Sequence, residues 1–359
     1  MSIKRNRMLG SAALLAIVSA SLGTYTLAED QPAGTQRKFV ATHSDVEAAG
    51  RSANLYVHVR PRMGAGKLST ETTLRPAGRP GLPVRSSALD ARGVAAAKTT
   101  FTQPAVPAPG FYPDDLSYQG GPVLQSAETH NIYVNGVASD WGNPDTFLSH
   151  WQHSKAVHLL DQYAGSTADY RYPAGAWGIF EYPIFSTLGD NDLLTIVHAA
   201  AAQIGGGYGH VYNIFLPQGV DFCDTSLGCY SPDNFATFTF CAFHSSVDFQ
   251  DLGHVLFTLE PYQNVAGCNV GQPSAQEPEK DSQASVLLHE MAETITDPDG
   301  TGWLAYNSLA VYGEEIGDVC TALDTSGEAF QSIPTSFEGV PYSVQFLYSN
   351  KYHACANVP

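Results

Sequence analysis

Within Ser285-Val-Leu-Leu-His-Glu-Met-Ala-Glu-Thr-Ile-Thr-Asp-Pro298, three side chains stand at a spacing that chemistry can use: His289, Glu290 and Glu293. On a helix, His289 and Glu293 lie one turn apart on one face, with Glu290 beside them. An imidazole and a carboxylate so placed can hold a divalent ion, and the adjacent glutamate can act as general base on a water the ion holds. Glutamate replaces the second histidine of the usual His-Glu-x-x-His spacing. The expected ligand set is therefore carboxylate-rich, with zinc as the first expectation and calcium or manganese as alternatives.

A third ligand must come from elsewhere in the chain. Asp299 lies ten positions after His289, where metzincin-type sites take theirs, although Thr296 stands where those sites have glycine. Gly313-Glu-Glu-Ile-Gly-Asp318 is the better source: Glu314 falls 25 residues after His289, and Asp318 comes one helical turn later. That spacing resembles thermolysin-like gluzincins, in which a second helix brings a glutamate ligand and then an aspartate that orients the first histidine. The expected metal residues are His289, Glu293, Glu315 and Asp318, with Glu314 and Asp299 as alternatives and Glu290 as the catalytic base. A lone His-Glu-x-x-Glu can equally be a solvated helix face, but the flanking Leu287, Leu288, Met291, Ala292 and Ile295 place this one against a core.

The elements that must position these residues follow from periodicity. Helical spacing is expected over 144–163 and 190–203, and over the metal helix, capped by Asp281 or Ser282 and ended by Pro298. A short acidic helix is expected around 314–320. Strands are expected at 131–134, 210–216, 235–243, 254–259 and 342–348, each rich in branched or aromatic residues. This order predicts an α+β fold, a mixed sheet with packed helices and a zincin-like metal helix.

Residues 1–28 read as a signal peptide, with Lys4, Arg5 and Arg7 ahead of an apolar run that leads to Thr26-Leu-Ala28. The run is too short to span a bilayer, so a secreted protein, extracellular or periplasmic, with no membrane span is expected. Six cysteines fit an oxidising compartment and three disulfides; the expected pairs are Cys223 with Cys229 or Cys241, and Cys320 with Cys355. Residues 29–110 are rich in Ala, Gly, Pro, Arg and Ser, and only 53–59 reads as a strand. They are expected to form a basic, largely extended or disordered leader, either a propeptide or a tether. Residues 1–110 hold 14 Lys and Arg against 6 Asp and Glu, whereas 111–359 hold 4 against 29, a balance of −25. Such a field repels nucleic acid and anionic membranes and attracts cations or a basic partner, of which the leader is the nearest.

Other polar residues carry weaker signals. His150, His153 and His244 read as structural or solvent-facing, although His244 is also placed to line a cleft facing the metal helix. Asp190-Asn-Asp192 and Asp297-Pro-Asp-Gly300 suit calcium or simple turns equally.

Gly120-Gly-Pro-Val-Leu124, Asn131-Ile-Tyr133 and Trp141 open a wider pattern. Val211-Tyr-Asn-Ile-Phe-Leu-Pro217 and Cys241-Ala-Phe-His244 continue it, and His289 to Pro298, Trp303 and Glu315-Ile-Gly-Asp-Val-Cys320 close it. Together they resemble the exordium, or phosphate-induced protein 1, family in its bacterial form, over most of 118–357. The resemblance implies an extracellular, wall-associated protein, since plant members are linked to growth responses and have no established catalytic activity. Their counterpart of the helix usually lacks the His-Glu pair; its presence here favours a working metal site. The expected function is a secreted metal-dependent hydrolase, peptidase-like, acting on a polypeptide or cell-wall substrate. The alternative is a non-catalytic wall or matrix protein with a structural or vestigial metal site. Oligomeric state is open.

Overall fold

The computed structural model describes residues 36–40, 55–61, 110–183, 186–224, 227–270, 277–323, 332–357 and 359. The expected signal peptide, and the leader apart from its two strands and Gly110, lie outside the described residues. Seven strands form the central sheet: β1 (Gln36–Val40), β2 (Leu55–Pro61), β3 (Glu128–Val134), β4 (Trp177–Glu181), β5 (His210–Phe215), β6 (Phe240–Phe249) and β7 (Gly253–Glu260). Their order is β1-β4-β3-β5-β7-β6-β2. β6 runs antiparallel to both neighbours while the other pairs are parallel, so the sheet is mixed. The segment read as a leader supplies both edge strands.

Helices cover both faces, which is why strands such as Val211-Tyr-Asn-Ile-Phe215 read as nearly continuous apolar runs. Successive side chains point opposite ways. Ile132, Val134, Tyr212 and Ile214 meet Leu193, Ile196 and Val197 of α2 (Asp190–Ile204) on one face. Tyr133, Val211 and Phe215 belong to the other core, with Phe147 of α1 (Pro144–His153) and Leu287, Leu288, Met291 and Ile295 of α3 (Pro278–Thr296). Each buried leucine or isoleucine of this kind stabilises by about 1.5–3 kcal/mol relative to exposure. The fold is thus α+β with a mixed sheet, and it carries three disulfides: Cys223–Cys229, Cys241–Cys268 and Cys320–Cys355.

α3 is buried on every side from Asp281 to Thr296, yet it carries many polar residues. A stripe at four-residue spacing explains part of this. Asp281 Oδ1 accepts from the Ser343 amide at 2.9 Å, Ser285 Oγ from the Gln345 amide at 3.1 Å, and Glu293 Oε1 from the Gly317 and Asp318 amides, each at 3.2 Å. The stripe therefore satisfies backbone donors of the C-terminal chain that packing on α3 removes from water. His289 stands between Ser285 and Glu293 on the same stripe.

Five boundaries differ from expectation. α3 starts at Pro278 rather than after Asp281, with Asp281 Oδ2 accepting from the Glu277 amide at 3.2 Å. The helix expected over 144–163 breaks at Ser154, whose hydroxyl accepts from the Ala156 amide and caps a separate 3-10 turn. The strand expected over 235–243 is shifted to β6, because 231–237 fold into hydrogen-bonded turns and leave Phe235 exposed. The acidic helix begins only at Asp318, as α4 (Asp318–Leu323), since Glu314 bridges Ala305 instead of entering a helix. The last strand divides into Val340–Gln345 and Leu347–Ser349.

Candidate metal centre

Three elements converge beneath the sheet. β6 brings His244, α3 brings His289, Glu290 and Glu293, and the turn into α4 brings Glu315 and Asp318. All six side chains are buried, Asp318 at 1% exposure and the others at 0%. His289 Nε2 lies 3.1 Å from Glu293 Oε2 and 3.5 Å from Asp318 Oδ1. His244 Nδ1 lies 3.6 Å from both Glu290 Oε2 and Glu293 Oε2, and its Nε2 is 3.7 Å from Glu315 Oε1. A tetrahedral ion with bonds of about 2.0–2.1 Å spaces its ligand atoms about 3.3 Å apart. The separations around Glu293 straddle that value. Two metal-compatible groups result, His289 with Glu293 and Asp318, and His244 with Glu293 and Glu315, and Glu293 belongs to both.

Surrounding groups aim the donors. The Gly317 and Asp318 amides hold Oε1 of Glu293, turning Oε2 toward the two imidazoles. His244 Nε2 lies 3.1 Å from the Asp297 carbonyl, and donating its proton there leaves Nδ1 as the ligand atom. A Cβ on Gly317 would stand 2.8 Å from His289 Cε1 and 2.9 Å from Glu293 Oε1. Only glycine lets the turn approach so closely.

The donor chemistry fits a divalent cation. Among the described residues, Nδ1 of His289 and both oxygens of Glu290 have no hydrogen-bond partner, and His289 Nε2 and Glu293 Oε2, although 3.1 Å apart, are not aligned for a hydrogen bond. Buried polar atoms left in that state are costly unless an ion completes them. Protonation points the same way. Burial pushes Glu315 well above the usual carboxylate range, and the charges of Glu293, Asp297 and Asp318 push it further. Burial also raises Glu290, against the His244 imidazole beside it. Burial opposes ionisation of Glu293, but His289 and His244 outweigh it and hold the carboxyl well below its ordinary value. Burial disfavours the His244 cation too, yet Glu290 and Glu293 lift it to about 10. Four carboxyls face two imidazoles in this cluster, a balance that a divalent cation would offset.

The expected residues divide. His289, Glu293, Glu315 and Asp318 come together, and Glu290 stands beside them. Glu315 and Asp318 reach different histidines because Glu315 precedes α4 and Asp318 is its first residue. The alternatives do not join: Asp299 pairs with His254 at 3.0 Å and Tyr208 at 2.6 Å, while the Glu314 backbone carbonyl accepts from Ala305 in a separate bridge. His244 is the member that sequence spacing undervalued, its one signal being Cys241-Ala-Phe-His244 in a strand facing the helix. His150 bonds Tyr342 at 2.8 Å and His153 the Ser149 carbonyl at 2.6 Å, apart from the site. The two acidic turns are structural in their contacts: Asp192 accepts from the Gly189 amide at 2.9 Å, and Asp297 from the Gly302 amide at 2.6 Å.

No family model matches the chain, and no curated protein or solved structure does either. Among the described residues, no helix is long and apolar enough to cross a membrane.

Proposed function

We propose that this chain is a secreted, zinc-dependent hydrolase of peptidase type, in line with a bacterial exordium-like protein that keeps a His-Glu pair. The observation that carries the reading is the spacing of 3.1 and 3.5 Å from His289 Nε2 to carboxylates of Glu293 and Asp318, with the unpartnered carboxyl of Glu290 next in sequence. His244 gives the centre a second imidazole, which favours zinc over calcium. A bound zinc ion would supply Lewis acidity toward water and an amide carbonyl. Glu290 takes the proton of the attacking water and returns it to the leaving amine. The Gly317 turn fixes Glu293.

Complete burial of the site supports latency. β2 of the basic leader lies antiparallel on β6, with His58 opposite His244 in register. Release of β2 bares the edge of the strand that carries His244, and an extended polypeptide can add there through its backbone. The same burial favours a second reading, a wall or matrix protein with a structural ion, because structural metal sites are closed and catalytic ones keep an open position.

Trypsin separates the two, since 14 of the 18 Lys and Arg lie within residues 1–110. Full-length protein nicked by trypsin, then freed of protease, should hydrolyse casein, and Glu290→Gln should retain zinc without hydrolysing it. Nicked wild-type protein that holds the zinc lost in His289→Ala but leaves casein intact would establish the structural reading. Protein with no stoichiometric divalent metal would end both.

A further inference from the structure

A second cluster lies on the other face of the sheet, at the starts of β3 and β5. Glu128 and His130 are two residues apart on β3 and so share a face, and His210 on β5 is the register partner of Glu128. We infer that Glu128, His130 and His210 form a second, solvent-accessible zinc site, independent of the buried centre.

The geometry is that of a built site. His130 is buried, and its Nδ1 donates to the Ala176 carbonyl at 2.9 Å. That bond fixes the tautomer, so Nε2 offers a lone pair, and it faces His210 Nδ1 at 3.0 Å. Glu128 Oε2 lies 3.8 Å from His130 Nε2 and 4.0 Å from His210 Nδ1. The ideal spacing around tetrahedral zinc is about 3.3 Å. The imidazole pair is slightly inside it and the carboxylate less than 1 Å outside. Glu128, with 53% of its side chain exposed, is the ligand able to close the gap.

The scaffold is prepared for this arrangement. The His130 ring stacks on Tyr212 with centroids 5.1 Å apart, which sets its plane. The loop over it is stitched to β3 by Thr129 N to Pro173 O at 2.9 Å and Gly175 N to Thr129 O at 2.8 Å. A Cβ on Gly175 would fall 2.5 Å from His130 Nδ1 and 3.1 Å from Glu128 Oε2, so only glycine leaves the cluster its space. Two neutral imidazoles and one carboxylate match the three-ligand set of zinc sites whose fourth position is open. Partial exposure of His210 and Glu128 puts that position toward solvent, and the acidic domain concentrates cations around it. Here the hydrogen bond between the imidazoles becomes two bonds to zinc: the ion enters, His210 gives its Nδ1 proton to solvent and takes one from solvent at Nε2, so that it stays neutral, and Glu128 moves in.

The test is zinc titration of the full chain with elemental analysis. Wild-type protein should bind two equivalents, and Glu128→Gln/His210→Gln, altered only at partly exposed positions, should lose one of them, its affinity falling at least 100-fold. His289→Ala should retain the exposed equivalent, so failure of the buried centre leaves this site standing. Nitrogen NMR of wild-type imidazoles gives a readout free of folding effects: signals lost in His210→Gln should shift on addition of zinc. Unchanged signals, or a double variant that binds zinc as wild type does, would overturn the assignment.

Discussion

Replacing Gly317 by alanine should weaken zinc binding at the buried centre without removing a ligand. Gly317 does not occupy the left-handed backbone region, so alanine can adopt its conformation and keep its amide on Glu293. The added methyl alone acts. It would stand 2.8 Å from His289 Cε1, closer still to Nδ1, and 2.9 Å from Glu293 Oε1, where ordinary contact begins at 3.4 Å. The ring or the turn must therefore retreat by at least about 0.6 Å, three times the tolerance of about 0.2 Å on a metal–ligand distance. A disturbed supporting contact of this kind typically costs 10–100-fold in metal affinity, about 1.4–2.7 kcal/mol. Overpacking should also lower folding stability by about 1–3 kcal/mol. Calorimetric zinc titration reads the first effect and thermal unfolding the second, with the buried event identified by its loss in His289→Ala. Gly110→Ala, whose Cβ would make only ordinary contacts with Tyr112 at 3.4 Å and beyond, is the control. Wild-type zinc affinity in Gly317→Ala would refute the role given to the turn.

His244→Ala should weaken zinc at the buried centre at least tenfold, because it removes the imidazole between Glu290 and Glu293; unchanged chelator resistance would count against a ligand role. Asp145 supplies a pH test: burial raises its carboxyl to about 6, against hydrogen bonds from Tyr133 and Asn131. The folded state then holds that proton more tightly than the unfolded chain, so its contribution is present below about pH 4 and is lost as pH rises through 6. The loss relative to Asp145→Asn is about 3 kcal/mol at most, and urea unfolding at pH 4 and 7 should show that sign. Breaking Cys320–Cys355, which closes a span of 35 residues, should cost about 3–4 kcal/mol. It should also loosen zinc through α4, which carries both Asp318 and Cys320; an unchanged melting temperature in Cys320→Ser/Cys355→Ser would contradict this.

Much of the architecture could be read locally. The apolar spacing around Leu287, Leu288 and Met291 marked the helix, and Pro298 marked its end. Branched and aromatic runs marked β3, β5 and β7, and two of the three disulfides fell within the expected pairs. Errors fell where a local pattern had to compete with a distant partner. Glu314 left the expected helix to bridge Ala305, and Phe235 lost its strand to hydrogen-bonded turns.

The sequence by itself determined the candidate chemistry: an imidazole and a carboxylate one turn apart with a glutamate beside them, and acidic residues some 25 positions later. Those relations follow from the fixed period of a helix and from residue type. Only the tertiary structure decided which side chains share a centre. His244 arrives from a strand about 45 residues before His289, and Glu128, His130 and His210 meet across two parallel strands. No sequence period encodes such meetings, because register and crossover are set by how the helices cover the sheet. The glutamate at 293, which first read as a missing histidine, is the residue around which both groups of the buried centre assemble.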